Sequence, residues 1–136
     1  MPTNKDIIAA IFAETAKGNG RPFVEAMADT MIWRTIGTGA WSGTFTGKDT
    51  IIREIFGGLR DRFEGPNTCV PTRILADGDH VIVQARGRNR TKDGKPYEND
   101  YCFVIRLENG RMVEYEEYCD TELVTAALGP RPATNT

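Results

Sequence analysis

The hydrophobic positions in the first half of the chain recur at helical spacing. They predict a helix over residues 4–17, with Thr3 or Asn4 as its N-cap, and a short second helix around residues 23–27. Residues 30–36 have the apolar content of a strand, and a glycine-rich loop follows. A third helix is expected from about 48 to 63. The first half is therefore mainly helical.

The second half has the alternating pattern of strands. Three turn signals, Asp77-Gly78, Asp93-Gly94 and Asn109-Gly110, recur every 16 residues. They predict four consecutive strands: about 67–76, 79–91, 96–108 and 111–120. Strands this long twist and curl. We therefore expect an α+β fold in which a curved antiparallel sheet wraps around the helices as a cone, with one domain over residues 1–128 and a flexible tail over 129–136.

Two adjacent glycines interrupt the third predicted helix. Gly57 and Gly58 each cost about 1 kcal/mol relative to alanine in a helix interior. Their small size predicts a place where a strand approaches the helix closely, although an exposed position would give the same sequence.

The last strand contains five acids within residues 113–123, and its buried face depends on the turn before it. On the preceding strand, 96–108, the odd-numbered residues are the apolar set and form the buried face. A two-residue turn at Asn109-Gly110 would bury Glu114 and Glu116. A three-residue turn pairs odd residues with odd ones and leaves a single acid inside, Glu117, roughly opposite Tyr101. Burying one carboxylate costs less than burying two, so we expect the three-residue turn, with Val113, Tyr115 and Cys119 also inside.

An acid in an aromatic hollow suits proton transfer. Burial raises the pKa of a carboxyl, which makes Glu117 a candidate general base or acid. Tyr101 and Asn99 are candidate donors to a developing enolate oxygen, or they satisfy each other structurally. Trp33 and Tyr115 are expected to line the hollow and stack a flat ligand, a core role being nearly as common.

Asp120 is the second candidate acid. It precedes "TELVTAAL", so capping of a short helix is the simpler role, and catalysis the alternative if the register differs.

Composition narrows the class of protein further. The chain has 136 residues, a formal charge of −2, three cysteines and one histidine. That balance does not favour nucleic-acid binding, and one histidine with scattered cysteines does not predict a metal site. No apolar run is long enough to span a membrane, and the cysteines without a secretion signal are typical of reduced cytoplasmic thiols. No cofactor is expected.

The order of elements and three segments resemble a known family. "SGTFTGKDTI", "GKPYENDY" and "NGRMVEYEEYCDT" are similar to SnoaL-like polyketide cyclases, within the superfamily of nuclear transport factor 2 and ketosteroid isomerase. The resemblance covers about residues 5–128 and implies the cone-shaped α+β fold. It also implies that an acid of the last strand removes an activated C–H proton, a role for Glu117 or Asp120.

Two functional hypotheses follow. The first is a cofactor-free enzyme of isomerase, cyclase or hydratase type acting on a small apolar or aromatic carbonyl compound. The second is a non-catalytic ligand-binding or dimerisation module of the same fold. A solvent-filled hollow at Glu117 would favour the first, and a plugged one the second. In either case we expect a homodimer through the outer sheet face.

Overall fold

The computed structural model describes residues 1–131 of the chain. Within that range the helices are α1 (Asn4–Thr15), α2 (Arg21–Glu25), α3 (Lys48–Ile51), α4 (Gly57–Arg62) and α5 (Thr121–Leu128). A π-helical turn, Ile52–Phe56, joins α3 to α4, so residues 48–62 form one long helix. The strands are β1 (Met27–Thr35), β2 (Gly43–Thr46), β3 (Cys69–Asp77), β4 (His80–Gly87), β5 (Asn89–Arg90), β6 (Pro96–Tyr97), β7 (Asp100–Glu108) and β8 (Arg111–Cys119).

Six of these strands form one curved sheet in the order β2-β1-β8-β7-β4-β3. β1 and β8 pair in parallel, and the other neighbours are antiparallel. α1 packs against β3 and β4, and the start of the long helix packs against β1 and β2. This arrangement confirms the predicted α+β fold.

The two longest predicted strands are each divided in the structure. β4 ends at Gly87, and the short strands β5 and β6 pair with each other in a separate ladder. β4 ends just before Arg88, whose backbone N–H donates to the carbonyl of Thr68, 3.0 Å away. Beyond this point, β6 of the short ladder packs against α5.

The predicted face of β8 is correct, but the predicted turn is wrong. Glu108 pairs with Arg111 across a two-residue turn, in which Asn109 and Gly110 have φ of 51° and 76°. The register then shifts by one residue between Arg106 and Leu107, so Val113 is an extra residue that forms a β-bulge. As a result Met112 is fully buried, whereas Val113, predicted to be inside, is only partly buried.

The hydrophobic core has two parts. The larger cluster fills the space between the sheet and the helices α1, α2 and 48–62. Its strand residues on β7, Phe103, Ile105 and Leu107, are the predicted odd-numbered face. A smaller cluster around Trp41 lies beneath α5 and contains Phe63. The fold thus has a wide end under α1 and α2 and a narrower end closed by α5.

The predicted tail begins with residues that contact the domain. Trp41 Nε1 donates to the Gly129 carbonyl at 2.9 Å, and Arg62 Nη2 donates to the Pro130 carbonyl at 2.7 Å. Arg131 forms an ion pair with Glu54 at 2.9 Å. Residues 132–136 lie outside the described range.

The glycine pair of the long helix makes room for a tryptophan rather than a strand. A Cβ at Gly58 would stand 2.9 Å from two ring carbons of Trp41, closer than carbon atoms pack. At Gly57 the nearest atom would be 3.5 Å away, an ordinary contact. Only Gly58 is therefore required by close packing.

The two glycines give a matched test of this packing. Gly58→Ala is expected to lower the free energy of unfolding by on the order of 1 kcal/mol, because overpacking against Trp41 outweighs the gain in helix propensity. Gly57→Ala is expected to raise it by roughly 0.5–1 kcal/mol. Urea titration of both variants measures the difference. Equal effects of the same sign would show that Trp41 does not constrain position 58.

Candidate active site

A cavity of about 360 Å³ lies between the sheet and the helices α1, α2 and 48–62. Seven of its lining residues are aromatic: Phe12, Phe23, Trp33, Phe56, Tyr101, Phe103 and Tyr115. Glu117 lies among them as the only acid of the lining in the described part of the chain. The volume falls within the roughly 300–1,000 Å³ range of small-molecule sites. The wide end of the fold is therefore hollow rather than filled by side chains.

Trp33 and Tyr115 form one wall of this cavity because their strands run side by side. They are direct partners in the parallel β1–β8 pairing, and their rings stack at 4.1 Å with an interplanar angle of 18°. Trp33 Nε1 donates to the Thr35 hydroxyl at 2.9 Å, which fixes the indole orientation. Both predicted stacking residues thus line the cavity.

The Glu117 carboxylate is partly buried and has no cationic partner in residues 1–131 that reaches ion-pair distance. The hydrogen bond it receives comes from the thiol of Cys119, with Sγ 3.4 Å from Oε2. Burial among apolar groups raises the pKa of Glu117 from 4.5 to about 7, and the bond from Cys119 opposes part of the rise. Glu117 lies opposite Phe103 rather than Tyr101, which pairs with Cys119. The predicted inward acid is therefore present, and its partner on β7 lies two residues from the predicted one.

Tyr101 lines the cavity near Glu117, in space that Gly87 leaves free. Its ring lies 3.2 Å from the position of a Cβ on Gly87. Its hydroxyl donates to the hydroxyl of Tyr97 at 3.3 Å. Desolvation is the main reason that the pKa values of both tyrosines rise above their ordinary value of 10.0. Both hydroxyls therefore remain protonated donors at neutral pH.

Asn99 has a structural role that replaces its predicted contact with a ligand. Its side chain is fully buried and lines neither the large cavity nor a smaller one beneath α5. Its amide donates to the Asp120 carbonyl and accepts from the Asp120 N–H, both at 3.0 Å. It also donates to the Tyr97 hydroxyl at 3.1 Å. Every polar atom of the amide is thus engaged in holding the end of β8.

Asp120 also lies outside both cavities. Its carboxylate is exposed and accepts from the backbone N–H groups of Glu122 and Leu123 at the start of α5. This is the helix cap that the sequence favoured over a catalytic role. Of the predicted site residues, the structure brings together Trp33, Tyr101, Tyr115 and Glu117.

A second, smaller cavity of about 40 Å³ lies beneath α5. Glu117 and Tyr101 line it as well as the large cavity, so they stand between the two. Its lining includes Thr35 and Tyr97, which the sequence analysis did not select. The parallel partner of Glu117 in β1 is Thr35. Thr35 could be selected from the sequence only if the parallel pairing of β1 and β8 were known, and short-range patterns do not indicate that pairing.

Comparison with known proteins assigns the chain to a family. Residues 8–115 match the SnoaL-like domain family, so the chain belongs to it. The match ends two residues before Glu117. No functionally curated protein matches the chain.

Solved structures of the same fold cover nearly the whole chain. A nuclear transport factor 2-like protein from Burkholderia thailandensis is 27% identical, covers 96% of this chain and 100% of its own, and has a TM-score of 0.81. A putative SnoaL-like polyketide cyclase from Jannaschia sp. is 18% identical, with coverages of 95% and 93% and a TM-score of 0.74. A hypothetical protein with a ketosteroid isomerase-like fold from Catenulispora acidiphila, in complex with trimethylamine, is 20% identical, with coverages of 94% and 95% and a TM-score of 0.71.

Two further features bear on the class of site. Within residues 1–131, no three His, Cys, Asp or Glu side chains are grouped so that they could hold a metal ion. In the same range no helix has the length and apolar character needed to cross a membrane.

The raised pKa of Glu117 predicts how stability depends on pH. Between pH 4.5 and about 7 the folded protein retains a proton that the unfolded chain has lost. Stability therefore falls as pH rises through this window, by on the order of 3 kcal/mol in total. We expect Glu117→Gln to lose this dependence and to be more stable than the unmutated protein at pH 8. Urea unfolding at pH 5, near the lower end of the window, and at pH 8, about one unit above its upper end, measures both effects.

Glu116→Gln provides the control for charge removal. Glu116 is the neighbouring acid on the other face of β8, where it pairs with Arg34 at 2.9 Å. This variant should keep the pH dependence of the unmutated protein. If instead Glu117→Gln lowers the free energy of unfolding by about 2 kcal/mol at pH 8, the carboxylate stabilises the fold. The predicted cost of burying its charge is then wrong.

Proposed function

We propose that this protein is a small-molecule enzyme that moves a proton next to a carbonyl group, with Glu117 as the base. The observation that carries the proposal is the hollow, aromatic-walled cavity that reaches a carboxylate without a cationic partner. A core acid kept at a cost to stability is typical of a functional site. The class is that of isomerases, cyclases and hydratases that need no cofactor.

The proposed chemistry begins with the ionised carboxylate. Glu117 takes a proton from the carbon next to the substrate carbonyl, and the C–H electron pair becomes the enolate. An isomerase then returns the proton to another carbon of the conjugated system. A cyclase instead lets the enolate carbon form a bond to a second carbonyl, whose oxygen receives the proton. A pKa of about 7 gives both protonation states of Glu117 at neutral pH, as this cycle requires.

Tyr101 is the proposed donor to the enolate oxygen. Tyr101 lines the large cavity, and its hydroxyl is committed to one partner, Tyr97. Rotation of that hydroxyl would direct its proton to a ligand, while Tyr97 retains the bond from Asn99. A donor of this kind stabilises charge that develops in the transition state.

The alternative is a non-catalytic module that binds a small ligand in the same cavity. The structural role of Asn99 favours it, because one of the two predicted oxyanion donors is not available. The two proposals differ in whether Glu117 exchanges protons with a bound carbonyl compound.

Hydrogen–deuterium exchange separates them. In deuterated buffer, 2-tetralone and related aromatic ketones are expected to exchange their α-protons faster with the protein present, as followed by NMR. The rate should rise with pH through a midpoint near 7, since the carboxylate is the base. Glu117→Gln should reduce the exchange by roughly 100-fold or more, and Glu116→Gln should leave it unchanged. Binding without accelerated exchange across the panel would support the module instead.

We also propose that the protein forms a homodimer through the outer face of the sheet. Leu75 is 50% exposed, and it continues a row of partly buried apolar residues, Ile82 on β4 and Val104 on β7. Tyr118, 39% exposed, lies beside this row on β8. A contiguous apolar strip on an otherwise charged face is typical of an association surface.

Sedimentation equilibrium tests the dimer. The unmutated chain, 15.1 kDa as a monomer, is expected to sediment at twice that mass. Ile82→Lys should sediment as a monomer with its fold retained by circular dichroism, because it places a charge in the middle of the strip. Lys92→Glu, in the turn between β5 and β6, serves as the control and should remain dimeric. An unmutated protein that is monomeric at high concentration excludes this interface.

A further inference from the structure

The large cavity has its positive charges at one end and its negative charge at the other. Three of the lining residues are charged: Arg21 at the start of α2, Arg60 in α4, and Glu117 on β8. The two arginines are highly exposed, with side-chain exposures of 84% and 80%, so they lie at the mouth. Glu117 lies at depth, among the aromatic walls.

Both guanidinium groups are free to bind a ligand. Arg21 approaches Glu25 only to 3.8 Å, and Arg60 approaches Asp61 only to 3.9 Å. Ion pairs of this length and exposure contribute little. The two acids do not line the cavity, whereas their arginine partners do.

An anionic group of a ligand has one favourable position in this arrangement. Near Glu117 it would meet a like charge in an apolar environment, which is costly. At the mouth it would meet cations whose planar donor pairs are suited to a carboxylate. Charge complementarity thus sets the orientation, and the aromatic walls accommodate a flat body between the two ends.

We propose that the cavity takes a flat aromatic carboxylate, whose anionic end stays at the mouth, where Arg21 and Arg60 lie. The opposite end of the molecule, which carries the reactive carbonyl, then faces Glu117. This second part rests on the proposed function, but the charge preference at the mouth does not. The arginines are specificity-determining residues that bind and orient the substrate.

The probes are 2-naphthoate and 2-naphthamide, which share a flat ring system and differ in charge. Quenching of the fluorescence of Trp33, which lines the cavity, reports their binding. We expect naphthoate to bind at least roughly fivefold more tightly at low salt. Raising the ionic strength from about 0.01 M to about 1 M should remove that preference, while naphthamide binding should not weaken.

Arginine variants localise the effect. Arg21→Gln and Arg60→Gln are each expected to weaken naphthoate binding by roughly three- to fivefold and to leave naphthamide binding unchanged. Arg53→Gln is the matched control. Arg53 lies on the same long helix, is itself 67% exposed, contacts the next residue at 3.6 Å, and lines neither cavity. It should bind both probes as the unmutated protein does.

Three results would overturn the inference: equal affinity of the unmutated protein for the two probes, loss of binding of both probes in the arginine variants, or binding of neither probe. The outcome is independent of catalysis, because it measures affinity without turnover. Failure of α-proton exchange with intact naphthoate selectivity would remove the proposed base and keep the proposed ligand class. The reverse pattern would keep the base and remove the requirement for an anion.

Discussion

The position of the inward carboxylate depends on one extra residue in β8. The two-residue turn at Asn109-Gly110 alone would direct Glu114 and Glu116 into the core. The bulge at Val113 shifts the register by one, so both of these acids face outward and Glu117 faces the cavity. Two uncompensated carboxylates in an apolar core would cost far more than one. The bulge therefore determines both the stability of the sheet and the chemistry of its interior.

The surroundings of Glu117 keep it apart from the other charged residues of the large cavity. Aromatic rings form the walls, and the stacked pair of Trp33 and Tyr115 follows directly from the parallel register of β1 and β8. The cations of the large cavity lie at its mouth, so they do not lower the pKa of the acid at depth. Under the proposed function, a substrate would be oriented by charge at one end of the cavity while proton transfer proceeds at the other. Neutralisation of Glu117 by a close cation would stabilise the fold and abolish that separation.

The opposite end of the fold is closed by contacts that are remote in sequence. Trp41 packs against Gly58 and donates to the Gly129 carbonyl, and Arg62 donates to the Leu128 carbonyl at the end of α5. A cation at a helix C-terminus is favourable because the last carbonyls lack helical partners. The Asn99 amide holds the other end of α5 through the backbone of Asp120. The small second cavity lies at this end, behind Glu117.

Short-range patterns in the sequence indicated the helices, the positions of the hairpin turns and the buried odd face of β7. The single inward acid was inferred from the cost of burying two carboxylates, on a turn type that the structure does not have. The short-range patterns succeed because periodicity and turn chemistry are local properties of the backbone. The tertiary structure alone decided the bulge at Val113, the pairing of Glu117 with Phe103, and the use of Asn99 as a backbone clamp. It also decided that Gly58 accommodates a tryptophan rather than a strand. Each of these depends on which distant atoms meet when the sheet curls around the helices, and that is set by packing and hydrogen-bond satisfaction across the whole domain rather than by neighbouring residues.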